Sequence, residues 1–183
     1  MSRWTRFCLT KKIRESCWQR DDIVIQLRYQ MIPYIEGIKM ENYRIESEEE
    51  ISAYLGKLKY ALNAGAKLVF QAIRKVDENR EEKFSNQYTV AHLFPDEDPQ
   101  VVLRRELLTL TTKDYMRTVK DVRFPNKSEM REFGKIYNGK DEIYIKIRVE
   151  LLDLSGFGQH TTFVMSFHYA MMPFSQEMFP YRK

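Results

Sequence analysis

The sequence predicts an α+β domain: a curved, largely antiparallel sheet of about four to six strands, with helices packed on one face. Three observations carry this. Ser47-Glu48-Glu49-Glu50 opens an amphipathic helix, two strand-like runs flank Asn138-Gly139, and a third strand-like run covers Thr161 to Tyr169.

The helix signal is a capping box. The Ser47 hydroxyl can accept from the amide three residues on, and Glu50 can reach back to the cap. The three acids suit the positive end of the helix dipole. Ile51, Tyr54, Leu55, Leu58, Ala61 and Leu62 follow at helical spacing and Gly65 supplies the stop, so a helix is expected over Glu48 to Ala64. Lys67 to Arg74 is β-rich and reads as the first strand of the main sheet, and Lys75 to Gln87 reads as a loop, with or without a helical turn. His92 sits in a mixed apolar context before Pro95 and reads as structural. Asp98-Pro99 has the form of an N-cap followed by proline at the first helical position, opening a helix through about Leu108. Thr111 with Asp114 predicts a short helical turn feeding a strand or extended segment over Tyr115 to Val119.

The most informative stretch is the hairpin. Asn-Gly favours positive φ at both central positions of a type I′ turn. In the run after it, Ile143, Ile145, Ile147 and Val149 point one way, while Tyr144, Lys146 and Arg148 point the other. A loop punctuated by Gly156 and Gly158 leads to the last strand, which carries Ser166-Phe167-His168. Paired as a meander, these strands would bring a phenol, two cations and an imidazole to one sheet face.

With 183 residues, the chain is expected to form one domain over residues 46–183, preceded by an extension, residues 1–45, in which Asp22 to Tyr29 reads as a strand or part of a helix. The net charge of +4 permits a polyanionic partner without demanding one. Charge is unevenly spread: Met1 to Arg20 holds six Lys/Arg against one acid, and Asp77 to Asp98 holds seven acids against two bases. The two cysteines, Cys8 and Cys17, lack Cys-x-x-Cys spacing, which argues against a disulfide scaffold or a cysteine zinc site. No apolar run reaches membrane-span length and the basic start lacks a signal-peptide core, so a cytoplasmic protein is expected, with no membrane partner. There is no His-Glu-x-x-His, no Gly-rich phosphate loop and no Gly-x-Ser-x-Gly elbow. Neither a metal nor another cofactor is expected.

Four segments in this order carry a resemblance: Leu110-Thr111 with Asp114-Tyr115, Phe133-Gly134-Lys135, the run Gly139 to Lys146, and Ser166-Phe167-His168. Together with the preceding helix–strand–helix they resemble the MqsR family of toxin–antitoxin toxins, within the RelE-like class of small mRNA-cleaving toxins. The resemblance covers about two thirds of the chain, from Ile51 to about Pro173. It implies a metal-independent endoribonuclease acting on mRNA, with or without the ribosome, and held inactive by a cognate antitoxin. It also implies that the working residues lie on the sheet. Arg117 and His168 stand where a family member has lysine, Tyr144 matches the tyrosine of the Tyr-x-Lys strand, and a further polar position falls within Glu132 to Lys135.

In RNA the 2′-hydroxyl can attack the adjacent phosphorus. A protein must then supply a base for the 2′ proton, cations for the phosphoryl oxygens and an acid for the departing 5′ oxygen. His168 can serve as acid or base because an imidazole titrates near neutrality; the alternative is a histidine bonded for structure. Tyr144 is either a phenol activated by its cationic neighbours or a surface tyrosine lying over them. Lys146, Arg117 and Lys135 are the electrostatic candidates. Arg148, Arg131, Arg123, Lys127 and Phe124 are the candidates for holding the RNA strand, with Tyr137 and Tyr169 as further stacking surfaces. The rival reading is a non-catalytic RNA- or protein-binding module on the same scaffold.

Overall fold

The structure, a computed structural model, describes residues 42–121, 126–151 and 160–183. All of them fall within one unit, Met40–Lys183. The candidates Arg123 and Phe124, the residue 156–158 turn and the segment Asp22 to Tyr29 lie outside the described residues.

Six strands form one mixed, mostly antiparallel sheet: β1 (Tyr43–Arg44), β2 (Lys67–Phe70), β3 (Tyr115–Val119), β4 (Met130–Tyr137), β5 (Asp141–Glu150) and β6 (Thr161–Tyr169). Their spatial order is β1-β3-β4-β5-β6-β2, and among the described residues only the β2–β6 pairing is parallel. The fold class is therefore α+β, and β4–β5–β6 is the expected meander. β1 lies within the stretch read as an extension, so the sheet begins before residue 46.

Among the described residues three helices accompany the sheet: α1 (Glu48–Asn63), α2 (Asn86–Leu93) and α3 (Pro99–Leu108). The capping box forms as expected, with the Glu50 amide donating to Ser47 Oγ (3.2 Å) and the Ser47 amide to Glu50 Oε2 (2.8 Å). The whole predicted stripe of α1 is buried. It meets Val102, Leu103 and Leu107 of α3 and the inward residues Phe133, Ile143, Ile145, Ile147, Val164 and Phe167 in one core. α2 falls where a loop and a structural histidine were expected. Its N-terminal Asn86 bridges the sheet edge beyond β2, donating to Gln71 O and Met165 O and accepting from the Phe167 amide. Among the described residues no helix is long and apolar enough to cross a membrane.

The Asn138-Gly139 turn has φ of 52° and 72°, as the type I′ reading requires. It fixes the β4–β5 register, which decides the face of every side chain in the hairpin.

Candidate functional site

Opposite residues of an antiparallel pair share a face. On the face away from α1 and α3, register places Arg117, Glu132, Lys146 and Ser166 in one row across β3, β4, β5 and β6. The next row holds Gly134, Tyr144 and His168. Arg117 joins the row through a β-bulge between Tyr115 and Arg117. Tyr115 faces the core opposite Phe133, and the inserted residue turns Arg117 to the other side. A second bulge, between Lys146 and Ile147, leaves Met165 O to accept from Asn86 and from Arg74.

Glu132 is the centre of the cluster and is fully buried. Arg117 Nε donates to its Oε2 at 2.7 Å, Lys146 Nζ lies 3.2 Å from its Oε1, and the Tyr144 hydroxyl also donates to it. Burial alone would raise the Glu132 carboxyl, but Lys146, Arg117 and the phenol outweigh it and hold the group below its ordinary range. Burial and the same carboxylate push the Tyr144 phenol well up, so it is a donor and not a phenolate.

His168 stands across the strands from Tyr144, ring centroids 5.4 Å apart. It is 1 % exposed and Tyr144 9 %. Its Nδ1 bonds the Tyr169 carbonyl at 2.8 Å. Burial, reinforced by the Arg74 and Arg80 charges, lowers its pKa to about 3. The imidazole is therefore neutral throughout the physiological range.

The segment following β2 folds against this face. Arg74 Nη1 donates to Ser166 Oγ at 3.0 Å, Arg74 pairs with Asp77 at 2.9 Å, and Arg80 reaches the same carboxylate at 3.9 Å. On the other flank Phe174 and Phe179 of the C-terminal segment lie against Gly134, where a Cβ would come within 2.7 Å of Phe179 Cζ and 2.8 Å of Phe174 Cε2.

The candidates from sequence thus divide. Arg117, Tyr144, Lys146 and His168 come together, and Arg148 shares their face, pairing with Glu150 at 2.9 Å and lying over the Phe163 ring. Lys135 and Arg131 do not join them, because register sets them opposite Ile143 and Ile147 on the helix side. Lys135 there bonds Thr109 Oγ1 and lies 3.8 Å from Glu106. Arg131 pairs with the buried Glu46 at 2.6 Å and covers the Tyr54 ring. Lys127 is exposed beside β4. Tyr137 donates to Glu106, and Tyr169 bonds His92 Nδ1 at 2.7 Å beside the stacked Tyr88 ring.

Sequence reasoning did not single out Glu132 itself, nor Arg74, Asp77 and Arg80. Glu132 was recoverable: once Asn138-Gly139 is the turn, counting back pairs Glu132 with Lys146. The approach of Arg74 and Arg80 had no such signal, since an irregular segment carries no periodicity that fixes its path. Among the described residues no three His, Cys, Asp or Glu side chains are grouped to hold a metal ion. Comparison with protein-family models, with curated proteins and with solved structures finds no match to this chain.

Proposed function

We propose that the polar sheet face binds single-stranded RNA and cleaves it by 2′-hydroxyl attack, as a metal-independent endoribonuclease whose activity a cognate antitoxin restrains. One observation carries this reading: two adjacent cross-strand rows gather Arg117, Glu132, Tyr144, Lys146 and His168 on a single face. In the reaction Arg117 and Lys146 stabilise charge on the phosphoryl oxygens. The single hydrogen of the Tyr144 hydroxyl turns from Glu132 to the departing 5′ oxygen and is transferred to it, leaving a phenolate beside Arg117 and Lys146, and the neutral His168 imidazole takes the 2′ proton. Both rings are covered in this state. The reading therefore requires this face to open when RNA binds; withdrawal of the Arg74–Asp77–Arg80 segment would lessen the burial and remove the two arginine charges that add to it in lowering the imidazole pKa.

The burial of both rings favours a second reading, a non-catalytic RNA- or protein-binding module. Single-stranded RNA incubated with the full chain in EDTA separates the two. Cleavage should leave 2′,3′-cyclic phosphate ends, and His168→Ala or Tyr144→Phe should slow it about 10²-fold or more with the circular dichroism spectrum unchanged. Wild-type rates in both variants remove the proposed site. Binding that weakens steeply with salt, without any cleavage, selects the module.

A further inference from the structure

On the helix side of the sheet, at its β2 edge, a groove of about 410 Å³ opens between β2, α2 and the start of α3. That volume lies in the range of sites that take a side chain or small ligand. Phe70, Ala72, Val90, Ala91, Phe94 and Pro99 give it an apolar lining, and Asp96, Glu97 and Gln87 stand among them. Phe70 pairs in register with the core residue Val164, so the groove and the Tyr144–His168 face lie on opposite sides of the sheet.

Part of the β2 backbone beside the groove lacks a strand partner among the described residues. Lys67 and Gln71 donate toward β6, to His160 O at 2.8 Å and Val164 O at 3.4 Å, so the intervening even-numbered residues direct their amides and carbonyls outward. At the ends of this edge the outward carbonyls are used: Ala66 O accepts from Arg104 and Ala72 O from the Gln87 amide. Between them, among the described residues, the outward groups of Leu68 and Phe70 meet no neighbouring strand, since β2 ends the sheet. Such an edge is a template for one more strand. Its charge selects the incoming chain. Asp96, held exposed at φ 65°, makes no ion pair among the described residues, whereas Glu97 is bridged to Arg105 at 2.6 Å.

We propose that this edge and groove form a docking site for an extended peptide segment of a protein partner. The segment adds a short strand to β2, seats an apolar side chain against Phe70, Val90 and Phe94, and sets a flanking lysine or arginine against Asp96. The proposal is independent of the RNA reading, because it uses the opposite side of the sheet.

The test uses the full chain and a fluorescein-labelled peptide KVKFKV, with EVEFEV as its acidic counterpart. KVKFKV should bind saturably by anisotropy, and EVEFEV at least about tenfold more weakly. Ala91→Arg, at an exposed helix position, should weaken KVKFKV at least about tenfold with an unchanged circular dichroism spectrum. Asp96→Asn, which tolerates positive φ, should weaken it a few-fold and flatten its salt dependence. Amide shifts in NMR spectra should centre on Leu68, Phe70 and Ala91. Equal affinity for the two peptides, wild-type binding by Ala91→Arg, or shifts centred on Tyr144 and His168 would overturn the proposal. So would a wild-type dimer in sedimentation that Ala91→Arg dissociates, which would give the groove to a second copy.

Discussion

The two faces of this sheet reach burial by opposite means. The helix face is covered by α1 and α3 through aliphatic and aromatic side chains whose positions follow from period alone. The other face buries a carboxylate, a phenol and an imidazole among arginines and a lysine, and coheres because the carboxylate meets two cations and the phenol while the imidazole stays neutral and bonds the Tyr169 carbonyl. An apolar face tolerates approximate fit; a buried polar face does not. The contrast teaches that register, which the hairpin turn sets, does more than align strands. It separates Lys135 and Arg131 from Tyr144 and Lys146, although all four lie in one hairpin.

The largest effect that can test this contrast is at Glu132. Glu132→Ala leaves Arg117 and Lys146 facing each other across a buried gap, and the loss expected on breaking a buried pair is about 3–5 kcal/mol. Urea denaturation at neutral pH measures it. A loss under about 1 kcal/mol would mean that water reaches this row as it reaches a surface ion pair, and that the two faces differ less than their burial indicates.

Acid probes the polar face next, through its buried imidazole and buried carboxylate, both of whose ionisations the fold shifts. Unfolded, His168 takes up a proton near pH 6.5; folded, it stays neutral to about 3. Between those values the unfolded chain binds the extra proton, so stability is full above about 6.5 and falls as pH falls. The slope is at most about 1.4 kcal/mol per pH unit, or about 2 kcal/mol lost between pH 7 and 5. The lowered Glu132 carboxyl acts in the same direction, but only below its ordinary value of 4.5, so the two windows are distinct. His168→Gln should remove the upper one. Equal losses between pH 7 and 5 in wild type and variant would assign that acid sensitivity to other groups.

How far the sequence could be read follows the same division. The α1 stripe, the Asn138-Gly139 turn, the Thr111–Asp114 turn and strands β3, β5 and β6 are local patterns, and each forms where its residues predict. The union of Tyr144, Lys146 and His168 was legible because alternation and a meander suffice to state it. Arg117 reaches the same face through a bulge, which no alternation announces. α2 was missed because its buried side includes Asn86 and Thr89, which serve the open edge of β6 and give no apolar stripe. The covering of His168 was illegible for a third reason. It depends on where Arg74 and Arg80 travel after β2, a long-range outcome that no local spacing encodes.

The smallest test lies where the polar face borrows from the apolar one. Gly134 sits beside Tyr144, and the rings of Phe174 and Phe179 fill the space its missing side chain leaves. Arg182 holds that segment down by donating to Gly134 O at 2.9 Å and by lying over the Phe179 ring. Gly134→Ala places a methyl group within 3 Å of both rings. The atoms met are the tips of rotatable rings and not backbone, so the cost should fall at the low end of overpacking, about 1 kcal/mol. The shift should loosen the segment and leave the sheet intact: trypsin should cut at Arg182 faster, and hydrogen exchange should rise at Phe179 but not at Ile145. If Gly134→Ala instead leaves cleavage at Arg182 unchanged while exchange rises across β4 and β5, the C-terminal aromatics are part of the sheet's own cooperative unit. The polar face would then be sealed by a second apolar layer as firm as the first.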